Sequence, residues 1–362
     1  MLRIKRVFIF CAVLFTFSLA AFSQTPSPTP PDEIERIATE EIKLNILAFD
    51  ENNEFAANLT AEDLVIVEDG RLHQATSLRR IPANVLLVLD VGNEISYAKR
   101  NKTTAETARG LIGALHSDDS VAVIQYGDRV DVLSDWTTDK ARVSQGLTER
   151  KLGFGRRSAF VYAISKAIEF FDKTPLENRH LVLITDGVDS FNDKAAVDAV
   201  TRKLLSSDIN VHVISYTRLQ QEAVQGALKT KSAPPRINLP PGAEAPHSKD
   251  TQRFPVATVN LDREMVRKRK EDINRLKTSE SFLTRIADDT NGDVFLPESI
   301  DEMKAKTWVL AKNIDSHYVV TYAPKRPLDE AREGEMRLIE VSSRKPGVVV
   351  QGRRKFLVTN ER

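Results

Sequence analysis

The sequence contains a single cysteine, Cys11, among 362 residues, and this scarcity excludes two classes of architecture. A disulfide-stapled scaffold needs paired cysteines, and zinc sites of the common structural kinds need at least two. An excess of charge is also missing, because 52 Lys and Arg residues balance 51 Asp and Glu residues for a formal net charge of +1. That balance gives no indication of a nucleic-acid partner or of a polybasic membrane-surface segment.

Motifs of the common catalytic classes are absent as well. The chain has no Gly-x-x-x-x-Gly-Lys-Ser/Thr phosphate loop, no Gly-x-Ser-x-Gly nucleophile elbow and no His-Glu-x-x-His metal pair. Residues 153–158 imitate a dinucleotide-binding loop but lack its third glycine. The six histidines are scattered, and we expect His180 and His212, in or beside apolar runs, to be hydrogen-bonded core imidazoles. Enzyme activity is therefore not expected.

The first 23 residues have the pattern of a secretory signal peptide. Basic residues within positions 3–6 precede the apolar run 7–22, which ends in small residues near Ser23. The run is shorter than the roughly 20 residues that span a bilayer. We predict cleavage near Ser23, which removes Cys11, and a secreted or periplasmic mature protein without a membrane span. An uncleaved anchor is the alternative.

The remaining sequence divides into segments of different composition. Residues 24–39 are predicted as a Pro-rich linker, and residues 40–81 as an N-terminal β module. That module is too short to bury a core of its own, so we expect it to pack with β strands of residues 316–362. Residues 82–315 form the predicted central domain, which carries an insertion at 219–277.

Apolar runs alternate with helical patterns in the central domain. Residues 84–90 and 180–186 are near-continuous apolar runs of the kind found in strands buried on both faces, and residues 103–115 and 158–171 have helical spacing. This alternation predicts an α/β fold with a doubly wound, mostly parallel six-stranded sheet of the Rossmann type, beside the small β module.

The insertion breaks the alternation. Its first half is rich in proline, which predicts a loop, whereas residues 261–275 are densely charged. Two interpretations of the charged half stay open, a solvated helix or a basic docking site.

Two aspartates mark one edge of the predicted sheet. Asp90 and Asp186 each end an apolar strand, and the carboxyl ends of parallel strands meet at one edge, where open α/β sheets bind ligands. Two neighbouring carboxylates repel each other unless something positive or a shared proton lies between them. A divalent cation and a basic side chain are both candidates.

Three motifs around these aspartates resemble the von Willebrand factor type A domain. They read Val-Leu-Leu-Val-Leu-Asp-Val-Gly-Asn-Glu at 85–94, Gly-Arg-Arg-Ser-Ala-Phe at 155–160 and Leu-Ile-Thr-Asp-Gly at 183–187, in the order that family uses. The resemblance covers about residues 81–313, and the flanking segments are similar to bacterial secreted proteins with a VWFA-related domain. It implies adhesion or protein–protein interaction outside the cytoplasm.

The resemblance also implies a metal-ion-dependent adhesion site, in which an Asp-x-Ser-x-Ser motif, a Thr and a later Asp surround Mg²⁺ or Mn²⁺. Asp90 and Asp186 match the two aspartates. Gly92 and Glu94 stand where the family has serines, and Ser158 replaces the threonine.

These departures leave two forms of the site open. In one, Mg²⁺ or Mn²⁺ is held by Asp90, Glu94, Ser158 and Asp186; no other cofactor is expected. In the other, a guanidinium from Arg156 or Arg157 neutralises the acids in a metal-free, degenerate site.

Two functions follow from these alternatives. The first is a binding protein whose partner is another protein and not a nucleic acid, contacted through a partner-binding rim. The rim comprises Asp90, Gly92, Glu94, Arg156, Arg157, Ser158 and Asp186. The alternative is a Mg²⁺-dependent hydrolase that uses Asp90, Glu94 and Asp186.

Overall fold

The computed structural model describes residues 41–52, 54–149, 152–229 and 258–359. The predicted signal peptide, the Pro-rich linker and most of the Pro-rich half of the insertion lie outside these residues. The domain bounds 40–81, 82–315 and 316–362 stay predictions.

The described residues form strands and helices in the following order along the chain. The strands are β1 (Ile42–Phe49), β2 (Leu64–Glu68), β3 (Arg71–His73), β4 (Ala75–Arg79), β5 (Asn84–Asp90), β6 (Ser120–Tyr126), β7 (Val130–Thr137), β8 (Arg179–Thr185), β9 (Asn210–Ser215), β10 (Val294–Phe295), β11 (His317–Tyr322), β12 (Met336–Ser343), β13 (Val349–Gly352) and β14 (Lys355–Leu357). The α helices are α1 (Asn101–Ala114), α2 (Lys140–Glu149), α3 (Phe160–Asp172), α4 (Lys194–Ser206), α5 (Thr217–Lys229), α6 (Thr258–Asp289) and α7 (Ile300–Asp315), and a 3₁₀ turn spans Ala61–Asp63.

The central sheet has six strands in the order β10-β9-β8-β5-β6-β7. All neighbouring pairs are parallel except β6 with β7, which is antiparallel. The predicted doubly wound, mostly parallel six-stranded sheet is therefore confirmed. The order reverses on either side of β5, which places the end of β5 at the topological switch point.

Helices cover both faces of this sheet, which explains why β5 is apolar at consecutive positions. Leu86 and Val88 pack with α3, α4 and α6 on one face, while Val85, Leu87 and Leu89 pack with α1 and α7 on the other. A strand buried on both faces cannot alternate apolar with polar residues.

Two smaller sheets join the chain ends. One has the order β13-β1-β11-β4 and pairs Ile46 with Tyr318; the other has the order β14-β12-β2-β3 and pairs Ile66 with Val341. The predicted β module built from both ends is confirmed. Each short segment gains buried partners from the opposite end of the chain, which neither could supply alone.

The insertion is more helical than the sequence indicated. Residues 219–229, expected as a loop, continue α5, because Gln220 and Val224 are buried and α5 packs against α6. In α6, residues 263–268 are exposed, whereas Asp272 and Leu276 are buried. None of the described helices is both long and apolar enough to cross a membrane.

Candidate functional site

The two strand-end aspartates meet at one edge of the central sheet, with a lysine between them. Lys99 Nζ lies 3.1 Å from Asp90 Oδ2 and 3.1 Å from Asp186 Oδ2. All three residues are buried, with exposed fractions of 3%, 0% and 1%. The ammonium group therefore lies where a positive charge is needed between the two carboxylates.

Both carboxylate oxygens of Asp90 have further hydrogen-bond partners. Asp90 Oδ2 accepts a hydrogen bond from Thr185 Oγ1 at 2.9 Å, and Oδ1 accepts one from the Gly92 amide at 2.9 Å. Ser158 Oγ lies 3.4 Å from the same Oδ1. These partners come from three separate segments, so the carboxylate is fixed within the fold.

Asp186 is held by a buried glutamine of α5. Gln220 Nε2 donates to Asp186 Oδ2 at 3.1 Å and to the Ile95 carbonyl, while its Oε1 accepts from the Ala98 amide at 2.8 Å. The other carboxylate oxygen accepts from the Val188 amide at 3.0 Å. Gln220 thus fixes both Asp186 and the loop that carries Lys99.

The electrostatics follow from burial and proximity. Burial raises the pKa of Asp90, as does the charge of Asp186, although Lys99 opposes the shift. Burial alone would lower the pKa of Lys99, but the charges of Asp186 and Asp90 outweigh it and raise that pKa. Lys99 therefore stays an ammonium ion at neutral pH.

Gly92 occupies the position of the family's first serine, and the space for a side chain there is already filled. A Cβ atom on Gly92 would lie 2.0 Å from Ser158 Oγ and 2.6 Å from the Arg157 carbonyl oxygen. Gly92 also forms a parallel bridge with Gly155. A serine hydroxyl cannot enter from this position without displacing the 155–158 loop.

Glu94 is paired with an arginine of α6, whereas the sequence suggested that it holds a cation together with Asp90 and Asp186. Its Oε1 accepts from Arg275 Nη1 at 2.8 Å and its Oε2 from Ser190 Oγ at 2.8 Å. Burial would raise the pKa of Glu94, but these hydrogen bonds and the charges of Arg275 and Lys268 lower it. Arg275 of α6 and Ser190 therefore occupy the two carboxylate oxygens that a cation shared with Asp90 would need.

Arg156 and Arg157 do not insert their guanidinium groups between the acids. Both are exposed, and both donate their backbone amides to Asp128. The guanidinium carbon of Arg157 lies 5.7 Å from the centroid of the Phe191 ring. The expectation that an arginine neutralises the acids is corrected, because Lys99 holds that position.

Helix α6 closes the edge over the aspartates. Leu276 packs with Ile95 and Val188, and Ser279 Oγ donates to the carbonyl oxygen of Asp186. Solvent and large ligands are excluded from the carboxylates as a result.

Residues 85–188 match the family model described as von Willebrand factor type A domain. The chain contains a von Willebrand factor type A domain. No functionally curated protein shows significant sequence similarity to the chain.

Similar solved structures include an aerotolerance-related membrane protein from Bacteroides fragilis, which is 22% identical over 64% of this chain and 98% of its own, with a TM-score of 0.40. A von Willebrand factor type A protein from Catenulispora acidiphila is 11% identical over 87% of this chain and 74% of its own, with a TM-score of 0.41. Manganese-loaded TRAP protein from Plasmodium vivax is 14% identical over 80% of this chain and 97% of its own, with a TM-score of 0.38. Similarity at this level carries no functional conclusion for this chain.

The residues at the edge of this type A domain do not fit a divalent cation. Each oxygen of Asp90 and Asp186 already has a protein partner, and Lys99 places a positive charge between them. Mg²⁺ needs several open oxygen ligands in octahedral geometry. Within the described ranges, no group of three or more His, Cys, Asp or Glu residues could hold a metal ion.

The sequence prediction missed Lys99 and Gln220. The loss of serines at positions 92 and 94 indicated an altered site, but Lys99 stands beside Arg100 and close to Lys102, with no local pattern that marks it as the buried one. Gln220 lies in the segment expected to be a loop. Both residues reach the site through tertiary packing that spacing along the chain does not reveal.

Proposed function

We propose that this protein is an exported, non-enzymatic interaction module whose type A domain binds another protein without a divalent cation. The observation that carries the proposal is the position of Lys99 Nζ, 3.1 Å from both Asp90 and Asp186. An internal ammonium supplies the positive charge that an adhesion site of this family takes from a metal ion.

The burial of the acids decides where a partner can bind. A metal bridge requires an open coordination position that a partner's carboxylate can enter. Asp90 and Asp186 are covered, whereas Arg156, Arg157 and Phe154 on the same edge are exposed. The partner is therefore expected at Arg156 and Arg157, the exposed part of the predicted rim, and at the neighbouring Phe154.

The partners of the three acids argue against the hydrolase alternative. The hydrolase alternative needs Asp90, Glu94 and Asp186 around one ion, but Glu94 is paired with Arg275. Export is supported by the signal-peptide pattern of residues 1–23 alone.

Photo-crosslinking tests the interaction surface. A benzoylphenylalanine replaces Phe154 or, as a control, the exposed Trp308 of α7 in cells that produce the full chain. We expect a discrete protein adduct from position 154 that persists in EDTA, and none from position 308. An adduct that EDTA abolishes would show a metal-bridged contact, and equal adducts from both positions would contradict a localised interface.

Mass spectrometry of the intact protein tests export. We expect the mature N-terminus near residue 24, and recovery of the chain with residues 1–23 still attached would contradict the predicted cleavage.

A further inference from the structure

The exposed face of α6 carries a row of basic side chains. Residues 263–277 contain seven basic and three acidic residues, whereas the whole chain is nearly balanced at a formal net charge of +1. Residues separated by three, four or seven positions share one face of an α helix. Four exposed bases have this spacing and form the basic stripe: Arg263, Arg267, Lys270 and Lys277. The stripe is about 21 Å long, because an α helix rises about 1.5 Å per residue.

The acids of the same segment do not neutralise the stripe. Glu264 and Glu271 lie about a quarter of a turn around the helix from it, and Asp272 is buried on the opposite side. Among the described residues, the one ion pair of the stripe joins Arg267 Nε to Glu271 Oε1 at 3.7 Å, with side chains that are 72% and 63% exposed. A pair this exposed holds its partners weakly. The positive charge of the stripe is therefore available to a partner.

Other bases of α6 have structural roles that the stripe does not share. Arg275 donates to Glu94 at 2.8 Å, and Arg269 donates to the carbonyl oxygen of Ala227 in α5. These contacts attach α6 to the carboxyl edge of the sheet and to α5. The basic stripe lies at least about a third of a turn away from both arginines, so attachment of α6 to the domain does not account for it.

The shape and composition of the stripe favour one class of anionic partner. Protein interfaces gain most of their binding energy from aromatic and other anchors seated in pockets, but a helix ridge is convex and residues 263–277 include no aromatic side chain. An anionic bilayer is a flat array of phosphates that needs no pocket, and each nearby Lys or Arg strengthens binding to it. Val266 is 40% exposed beside Arg263 and Lys270, where it can contact the acyl boundary.

We propose that the basic stripe binds the surface of a membrane that contains anionic phospholipids. Helix α6 then lies parallel to the bilayer, with its four basic side chains at the lipid phosphates. Nucleic acid is the other common polyphosphate, and the predicted export of the chain separates it from that partner. The proposal goes beyond the protein interaction proposed above, because the stripe shares no residue with the predicted rim.

Cosedimentation with lipid vesicles tests the proposal on the exported, processed protein. The probes are phosphatidylcholine vesicles that contain about one-third phosphatidylglycerol, and vesicles of phosphatidylcholine alone. Each base near an anionic surface strengthens binding about fivefold, so four should favour the anionic vesicles by at least about a hundredfold. Raising the salt concentration from about 0.1 M to about 0.5 M should weaken this binding, because the Debye length shortens.

Matched double variants locate the binding on α6. Lys270→Gln combined with Lys277→Gln should weaken binding to the anionic vesicles about 25-fold. Lys102→Gln combined with Lys194→Gln removes the same charge from two exposed lysines of α1 and α4, and should weaken it less than about twofold. Lys270→Arg combined with Lys277→Arg keeps the charge and should bind like wild type. Circular dichroism of each variant checks that the fold is intact.

Several outcomes would overturn the proposal. These are equal binding to the two kinds of vesicle, no binding to either, and equal weakening in the two glutamine double variants. Displacement of the vesicles by poly-glutamate or by double-stranded DNA, at an equal concentration of negative charge, would indicate a protein or a nucleic acid as the partner instead. The crosslinking result at position 154 is independent of all these outcomes, so either proposal can fail alone.

Discussion

Strand β8 carries a buried polar cluster at each end, and the two clusters satisfy burial by different means. At the carboxyl end, Asp186 and Asp90 contact the ammonium of Lys99. At the amino end, His180 contacts His212 and lies against His317. The first cluster is an ammonium between two carboxylates. The second joins imidazole rings by hydrogen bonds, and Asp293 Oδ2 lies 3.0 Å from His212 Nδ1 at its border.

The histidine cluster lies where the central sheet meets β11. His180 contacts Asn178 at 2.9 Å, and His317 contacts Asn210 at 3.2 Å. Burial lowers the pKa of His180 well below its ordinary value and, with the charge of His212, lowers that of His317 to about 4. His180 and His317 are therefore neutral at physiological pH, and they connect the central domain to the β module.

The comparison shows that the cost of burying titratable groups in a low-dielectric interior can be offset in two ways. A buried charge is tolerated where an opposite charge is held beside it, and a buried titratable group is tolerated where it stays neutral. The two ends therefore respond differently to loss of a partner and to acid.

The largest expected effect comes from removing the internal cation. Lys99→Met leaves two buried carboxylates without a counter-charge, so the free energy of unfolding should fall by about 3–5 kcal/mol in EDTA. Urea denaturation measures the change. Lys102→Met, at a side chain that is 88% exposed, should change the free energy of unfolding little. Equal stability of Lys99→Met and wild type would contradict the ion-paired site.

A second substitution restores the family's residue at position 92. Gly92→Ser should destabilise the fold by about 1–3 kcal/mol, because its Cβ meets Ser158 Oγ and the Arg157 carbonyl. It should also fail to create Mg²⁺ binding. Gly146→Ser is the matched control, since no atom lies within 4 Å of a Cβ there. Cation binding by Gly92→Ser would show that only a missing hydroxyl separates this site from a metal site.

Acid should act through the histidine end. The folded pKa of His317 is about 4 and the unfolded value is 6.5. The unfolded state therefore binds protons first as pH falls below 6.5, and stability is lost between pH 6.5 and about 4. We expect a loss of about 2 kcal/mol between pH 7 and pH 5 from this group.

The carboxyl end of β8 contributes with the opposite sign: the pKa of Asp90 is raised in the folded state, so protonation of this carboxyl group favours folding. Urea denaturation of His317→Gln at both pH values should show a smaller pH dependence than wild type, and substitution of the exposed His116 should leave it unchanged. Equal pH dependence in His317→Gln and wild type would contradict a neutral His317.

The smallest effect is expected at the partly exposed pair of Glu94 and Arg275. Arg275→Gln should reduce the free energy of unfolding by no more than about 1 kcal/mol, because solvent screens side chains that are about a third exposed. Urea denaturation measures this change. A decrease in the free energy of unfolding as large as that of Lys99→Met would show that the Glu94–Arg275 pair contributes as much to stability as the Lys99 site, and would contradict the account.

The sheet could be predicted from sequence because burial on both faces leaves a local signature. The apolar runs at 84–90 and 180–186 are such signatures, and the pairing of the chain ends followed from the short length of each segment. Helix α5 was missed at 219–229, since the prolines that follow at 234 and 235 dominated the pattern.

The site was less predictable than the sheet. The positions of Asp90 and Asp186 at strand ends predicted that their carboxylates lie together. Which basic side chain lies between them depends on the conformation of the loop before α1, and the sequence does not reveal that conformation. Arg156 and Arg157 are adjacent to Ser158 in sequence and still point outward, while Lys99 reaches the acids by a loop that Gln220 fixes.

Isothermal titration of the purified wild-type protein with Mn²⁺, beside Asp186→Ala, tests the central claim most directly. Because the Lys99 ammonium group occupies the position between the two aspartates, we expect neither protein to give a saturable heat of Mn²⁺ binding. Saturable binding by wild type at one site, abolished in Asp186→Ala, would show that a metal ion displaces Lys99 and would contradict the account.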